Sequence, residues 1–275
     1  MKVFSCIVFL FFSIHLLFSQ SLSVLVHKGD RCLQAKNSSL AIQYYGRAIV
    51  IDSKCSMCYY KRGVVYAQEG YYTDAIQDLY YTSLLRIAQK DEVLEHTFFL
   101  LGECYKGLNQ SEKALENYTN TLLLNPKNLE ALEAHFYCFL GLKKHPEALS
   151  DIKRYQKLSK DKSKVQFLYG TYYAALHQTV KANKAYTKAI LLKPTAGNYY
   201  LERGKLLSDA SNFEDAILNF SKVIELDQND DEAFLQRGIA YHKVNNILAG
   251  CSDFLRAANL GNDEARVLFE AHCPH

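Results

Sequence analysis

Apolar residues along this chain return at intervals of three and four, as in Ala114, Leu115, Tyr118, Thr121 and Leu122, which places them on one stripe of an α-helix. Polar or loop-forming residues interrupt the stripes at Glu69-Gly70, Asn109-Gln110-Ser111 and Ser211-Asn212. The helix after each break opens with acidic residues (Asp74, Glu112, Glu147, Glu214, Asp215), which suit the positive end of a helix dipole. The pattern predicts helix, turn, helix, repeated.

The repeat has a fixed register. Gly29, Gly63, Gly102, Gly170, Gly204 and Gly238 are separated by 34, 39, 68, 34 and 34 residues, and the midpoint of the double step falls on Phe136. Twelve residues beyond these seven points stand Ala41, Ala75, Ala114, Ala148, Ala182, Ala216 and Gly250. Sixteen beyond stand Tyr45, Leu79, Tyr118, Ile152, Tyr186, Phe220 and Phe254, and three beyond stand Cys32, Tyr66, Tyr105, Phe139, Tyr173, Leu207 and Tyr241. Small residues at one slot and large ones at others let two helices approach closely while the gaps beside them fill.

This unit resembles the tetratricopeptide repeat, with a Gly in the first helix, an Ala in the second, and a closing Pro at Pro126 and Pro194. The resemblance implies an all-α, right-handed α-solenoid of about seven repeats at 22–55, 56–89, 95–128, 129–162, 163–196, 197–230 and 231–262. A capping helix and tail at 263–275 close the stack, because a terminal repeat would otherwise leave an apolar face in water. The last unit resembles the terminal unit of many bacterial repeat proteins, so the chain reads as an exported bacterial-type member. Phe136 replaces a glycine, Tyr155 an alanine, and five extra residues lie around Arg86 to Glu95, where looser packing or a bend is expected.

The first nineteen residues read differently. Lys2 precedes an apolar run from Val3 to Phe18, and Ser19 follows with Leu17 two positions earlier, the pattern of a signal peptide cleaved after Ser19. The protein is expected to be secreted or periplasmic, with an uncleaved membrane anchor as the alternative.

Charge excludes little but points away from nucleic acid: 32 Lys and Arg stand against 29 Asp and Glu. Nucleophile elbows, zinc-protease motifs, phosphate-binding loops and dinucleotide fingerprints do not occur in the sequence, so no enzyme activity, cofactor or metal is expected. Seven cysteines follow the leader; Cys251 and Cys273 would staple the cap to the stack as a disulfide. Cys55-Ser56-Met57-Cys58 is open to a thiol or metal role as well as to a local bridge, while Cys104 and Cys138 share one slot and read as core. The sequons at Asn117 and Asn219 fall within second helices and read as chance; those at Asn37 and Asn109 fall at turns.

Stacked hairpins place their first helices along a concave side, the default site for a peptide or helix from a protein partner. Three residues before the glycine slot lie Val26, Tyr60, Phe99, Glu133, Phe167, Leu201 and Leu235; one after it lie Asp30, Val64, Glu103, Tyr137, Thr171, Lys205 and Ile239. The expected contact residues are Tyr60, Phe99, Tyr137, Phe167, Leu201 and Leu235. Lys61, Lys106, Lys164 and Lys205 do not reproduce the clamp with which some members of the family hold chaperone tails. The chain thus reads as a non-enzymatic scaffold or adaptor, with a thiol protein and a structural rod of an envelope assembly as alternatives.

Overall fold

The computed structural model describes residues 21–86 and 92–273. The expected signal peptide, most of the five-residue insertion and the last two residues lie outside that range. The described residues form helices joined by short turns, with no strand among them. The chain divides into two compact units, Met1–Lys143 and Lys144–His275. The first holds α1 (21–34), α2 (Ser38–Ile51), α3 (Ser56–Gln68), α4 (Tyr72–Arg86), α5 (Glu92–Gly107), α6 (Ser111–Leu124) and α7 (Leu129–Gly141). The second holds α8 (His145–Leu158), α9 (Lys162–Ala175), α10 (Thr179–Leu192), α11 (Gly197–Asp209), α12 (Phe213–Leu226), α13 (Asp231–Lys243), α14 (Ile247–Asn259) and α15 (Asp263–His272). Within each unit successive helices pack together, and alternate ones also touch: α3 with α5, α9 with α11, α11 with α13.

The turn inside each hairpin repeats one backbone solution. Seven residues after the glycine slot, Lys36, Gly70, Asn109, Lys143, His177, Ser211 and Asn245 all adopt left-handed φ values between 55° and 79°. In six of the seven, the following amide donates back to the carbonyl five positions earlier in a bond of 2.8 or 2.9 Å, as from Asn37 to Cys32, Tyr71 to Tyr66 and Gln178 to Tyr173. This is a Schellman closure, which satisfies carbonyls that a helix end leaves unpaired. Many of the next helices then start on a side-chain cap: Asn37, Asn212, Asn246 and Asn262 accept from amides in the first turn that follows. First helices use the same device at Asn128, Asp161 and Asp230.

The core of each hairpin is a ring laid on a glycine. A Cβ added to Gly29 or Gly204 would sit 2.5 Å from the ring of Tyr45 or Phe220, and one added to Gly238 would sit 2.7 Å from Phe254. Gly102 meets Tyr118, and Gly170 meets Tyr186, just as closely. In the second hairpin Leu79 takes the ring's place, and Gly63 is correspondingly less crowded, at 3.0 Å. The side chains at this slot and the alanines twelve past the glycine are nearly all fully buried. Phe136, in the glycine slot of α7, is itself 1% exposed, so a large core side chain stands where the other first helices have none.

Two substitutions test these local rules by thermal or urea unfolding. His177→Gly relieves a left-handed residue that carries a Cβ and should stabilise the protein by about 1 kcal/mol. Gly170→Ala drives a methyl into the Tyr186 ring and should destabilise it by about 1–3 kcal/mol.

Candidate functional site

Where the ring on the glycine is a tyrosine, its hydroxyl is placed beside the residue just after that glycine. Tyr45 donates to Asp30 Oδ1 at 2.7 Å, Tyr118 to Glu103 Oε1 at 2.5 Å, and Tyr186 to Thr171 Oγ1 at 3.4 Å. Where the ring lacks a hydroxyl, or is an aliphatic residue, the same position holds a residue of another kind: Val64 opposite Leu79, Lys205 opposite Phe220, Ile239 opposite Phe254. A tyrosine tip needs a partner when buried, and the neighbouring first-helix residue supplies it. Burial, followed by the bond to the neighbouring carboxylate, raises the pKa of Tyr45 and Tyr118; burial, partly offset by the Thr171 bond, raises Tyr186 to about 12. All three hydroxyls therefore stay protonated and donating at neutral pH. Asp30 also receives Lys61 Nζ at 2.7 Å; burial opposes ionisation, yet Lys61 and Tyr45 together hold its pKa below the ordinary carboxylate value. Two of the residues expected to face a partner, Asp30 and Glu103, thus already serve the fold.

The stripe three residues before the glycine slot is divided. In the first unit Tyr60 and Phe99 are half-buried and flank the exposed His96: the Tyr60 hydroxyl lies 2.7 Å from His96 Nδ1, and the His96 and Phe99 rings stack at 6.5 Å. Phe99 also leans on Tyr118 at 6.0 Å, so it is braced from behind. Tyr137 on α7 is 38% exposed. In the second unit the expectation fails for Phe167 and Leu235, which are 5% and 1% exposed. Phe167 stacks on Tyr199 of α11 at 4.7 Å and meets Tyr186 at 5.7 Å, filling the seam between first helices. Leu235 joins Cys251, Phe254, Ala257 and Ala265 beneath the closing helix. Leu201 is half-buried against Leu207, Phe220 and Ala240.

With this geometry in view, the chain can be compared with known proteins. The tetratricopeptide-repeat profile matches residues 95–128, the unit built from α5 and α6. The unit at 95–128 is a tetratricopeptide repeat. The chain is 22% identical over 255 residues to tetratricopeptide repeat protein 16 of Macaca fascicularis, a match covering 86% of this chain and 29% of that protein. It therefore spans under a third of the curated relative's length. A tetratricopeptide repeat protein from Parabacteroides merdae shares its fold, with TM-score 0.80, 15% identity, 93% of this chain and all of that chain covered. The C-terminal part of a repeat-containing protein from Cytophaga hutchinsonii superposes with TM-score 0.59 at 18% identity, covering 88% of this chain and 98% of that one. Tetratricopeptide repeats are protein-interaction scaffolds, and the described helices include none long and apolar enough to cross a membrane.

The tetratricopeptide hairpins here contain a second recurring device that periodicity alone did not disclose. Arg62, Arg203 and Arg237 each precede the slot glycine, and each grips the residue sixteen positions on, in the second helix. Arg62 forks onto Asp78 at 2.7 and 2.8 Å, and Arg237 onto Asp253 at 2.7 and 2.8 Å. Arg203 donates to Asn219 Oδ1 at 2.8 Å. Arg203 and Arg237 also reach back into the preceding hairpin, to Thr187 at 3.2 Å and Ser221 at 3.0 Å, so one guanidinium ties two repeats together. The forked carboxylate raises the guanidinium pKa of Arg62 and Arg237, whereas burial beside a neutral amide lowers that of Arg203. Asn219 itself donates to the Asp215 carbonyl at 2.7 Å, and Asn117 to that of Lys113 at 2.8 Å, which keeps both inner sequons inside the fold.

Two pairs of cysteines are bridged, Cys55 to Cys58 and Cys251 to Cys273, while Cys104 and Cys138 are buried thiols. Burial raises both thiols to about 11, which makes them inert near neutrality. The Cys55–Cys58 bridge straddles the start of α3, where Cys55 Sγ lies 3.2 Å from the Cys58 amide. His242 lies with Cys251 and Cys273 in a group whose ligand atoms fall within 4.8 Å of one another, but both sulfurs are committed to each other. His242 fills the space left by Gly250, the slot where other units have alanine; a Cβ there would lie 2.8 Å from Nε2. The C-terminal bridge spans 22 residues from α14 past α15. Loop closure on that scale is worth about 3 kcal/mol. Cys273→Ser should lower the unfolding free energy by that order in non-reducing buffer and leave it unchanged under reduction, as read by urea denaturation.

Proposed function

We propose that this chain is a non-enzymatic adaptor acting outside the cytoplasm, where it holds a peptide or helix of a partner protein against its first helices. The observation that carries the reading is the Tyr60–His96–Phe99 group on α3 and α5: Tyr60 meets His96 edge to face, His96 stacks on Phe99, Tyr118 braces Phe99 from behind, and the group stays partly open to solvent at the exposed His96. Rigid aromatic side chains of this kind bury large area on binding at little entropic cost, which is why they dominate interaction surfaces. Export is supported by the apolar leader ending at Ser19 and by two disulfides, which persist in oxidising compartments.

The test is a photocrosslinking residue placed at His96 in the native host. A discrete protein adduct is expected, and Tyr60→Ala with Phe99→Ala should reduce its yield about tenfold, the loss of one hot spot. The recovered protein should begin at Gln20 and be found outside the cytoplasm. Undiminished adduct in the double variant sinks the groove assignment.

A further inference from the structure

The formal charge of the whole chain is +3, but it is not evenly spread. Residues 143–193 carry twelve Lys and Arg against three Asp and Glu, a surplus of nine in 51 residues. In that stretch the arginine device is missing. Of the three hairpins wholly inside the second unit, α11/α12 and α13/α14 have Arg203 with Asn219 and Arg237 with Asp253; in α9/α10 the corresponding residues are Tyr169 and Ala185. Tyr169 and Ala185 instead line a cleft there.

A cleft of about 380 Å³ occupies the place, bordered by Tyr169, Tyr173, Lys181, Lys184 and Lys188. A second cleft of about 490 Å³ adjoins it through Gln166 and Lys188 and is lined by Lys162, Val165, Leu191 and Leu192. The floor is fixed: the Tyr169 hydroxyl donates to Gln156 of α8 at 3.0 Å, its ring stacks on Tyr173 at 6.3 Å, and Lys181 lies over Tyr173 at 5.6 Å. Two lysines later in this unit do have carboxylate partners, Lys205 with Glu232 at 3.2 Å and Lys222 with Glu225 at 2.6 Å. Among the described residues Lys162, Lys184 and Lys188 have no carboxylate within 4.0 Å, and all three are exposed.

We propose that this groove on α8, α9 and α10 binds an extended acidic segment of a partner protein. Its carboxylates would lie against Lys162, Lys184 and Lys188, and an aliphatic side chain against Val165, Leu191 and Leu192. The groove lies on the side of α9 opposite Lys164 and Thr171, so it is a second surface, independent of the Tyr60–Phe99 group. It takes only its ligand class from the scaffold reading. Two clefts of side-chain size with a partly apolar wall suit a peptide better than a uniform polyanion, which needs charge alone.

The experiment uses the full mature chain and a fluorescein-labelled nonapeptide of eight Glu around one central Leu, read by anisotropy at low and physiological salt. Saturable binding is expected, weaker by tenfold or more in Lys184→Glu/Lys188→Glu, weaker at least threefold when the Leu is replaced by Ser, and unchanged in Lys222→Glu and in Tyr60→Ala/Phe99→Ala. Thermal melts of each variant establish that it is folded. Absence of saturable binding overturns the proposal, as does an equal loss in Lys222→Glu. So does equally tight uptake by duplex DNA or anionic vesicles, or charge-reversal-sensitive self-association in sedimentation, which would make the occupant a second copy. Retained peptide binding in Tyr60→Ala/Phe99→Ala separates this surface from the one on α3 and α5.

Discussion

Everything in this protein rests on an aromatic or aliphatic side chain from one helix lying flat on a glycine of the helix before it. The contact is possible only because glycine has no Cβ: at Gly29, Gly170 and Gly204 an added methyl would occupy the ring itself. Close approach of the two backbones then buries the alanine twelve positions past the glycine, and the distance between helices is set before any surface residue is chosen. Each hairpin is a short unit that could not bury this face alone, so its stability is inseparable from that of the neighbours stacked upon it.

From that constraint the polar interior follows by local rules. A tyrosine on the glycine brings a hydroxyl into a half-buried seam, and Asp30, Glu103 or Thr171 meets it; a leucine or phenylalanine there makes no such demand, and Val64, Lys205 or Ile239 stands instead. The arginine before the glycine obeys a parallel rule, with Asp78, Asn219 or Asp253 sixteen residues on. Because the guanidinium at Arg203 and at Arg237 also reaches the previous hairpin, it works as a stitch between repeats as well as within one. Buried charges are tolerated here because each finds a fork of acceptors with little freedom to move.

Much of the fold was legible because three residue classes recur in one register, the signature of paired helices. The left-handed turn was less so: only one of its seven positions is glycine, at Gly70, and residues as different as Lys36, His177 and Ser211 adopt the same φ, so no residue type announces it. The surface was legible only in part. An aromatic three positions before the glycine can serve the groove or the seam between first helices, and the choice depends on the next hairpin. Tyr60 and Phe99 remain open, whereas Tyr199 arrives from α11 to stack on Phe167, and α15 closes over Leu235. The arginine stitch was readable in principle, from Arg at the position before Gly63, Gly204 and Gly238 matched with Asp or Asn sixteen residues later, but only once pairs of slots are read together.

In a repeat architecture, slots that must satisfy packing carry little information about partners, and information collects where a rule lapses. The hairpin of α9 and α10 keeps its ring on glycine, so its fold is secure, yet it has given up the guanidinium and its acceptor for Tyr169 and Ala185. What it gains is a floor of two stacked rings and a rim of lysines without internal carboxylates. Slots released from a packing rule in this way are free to serve the surface, and it is at such positions that a protein is expected to spend stability on recognition.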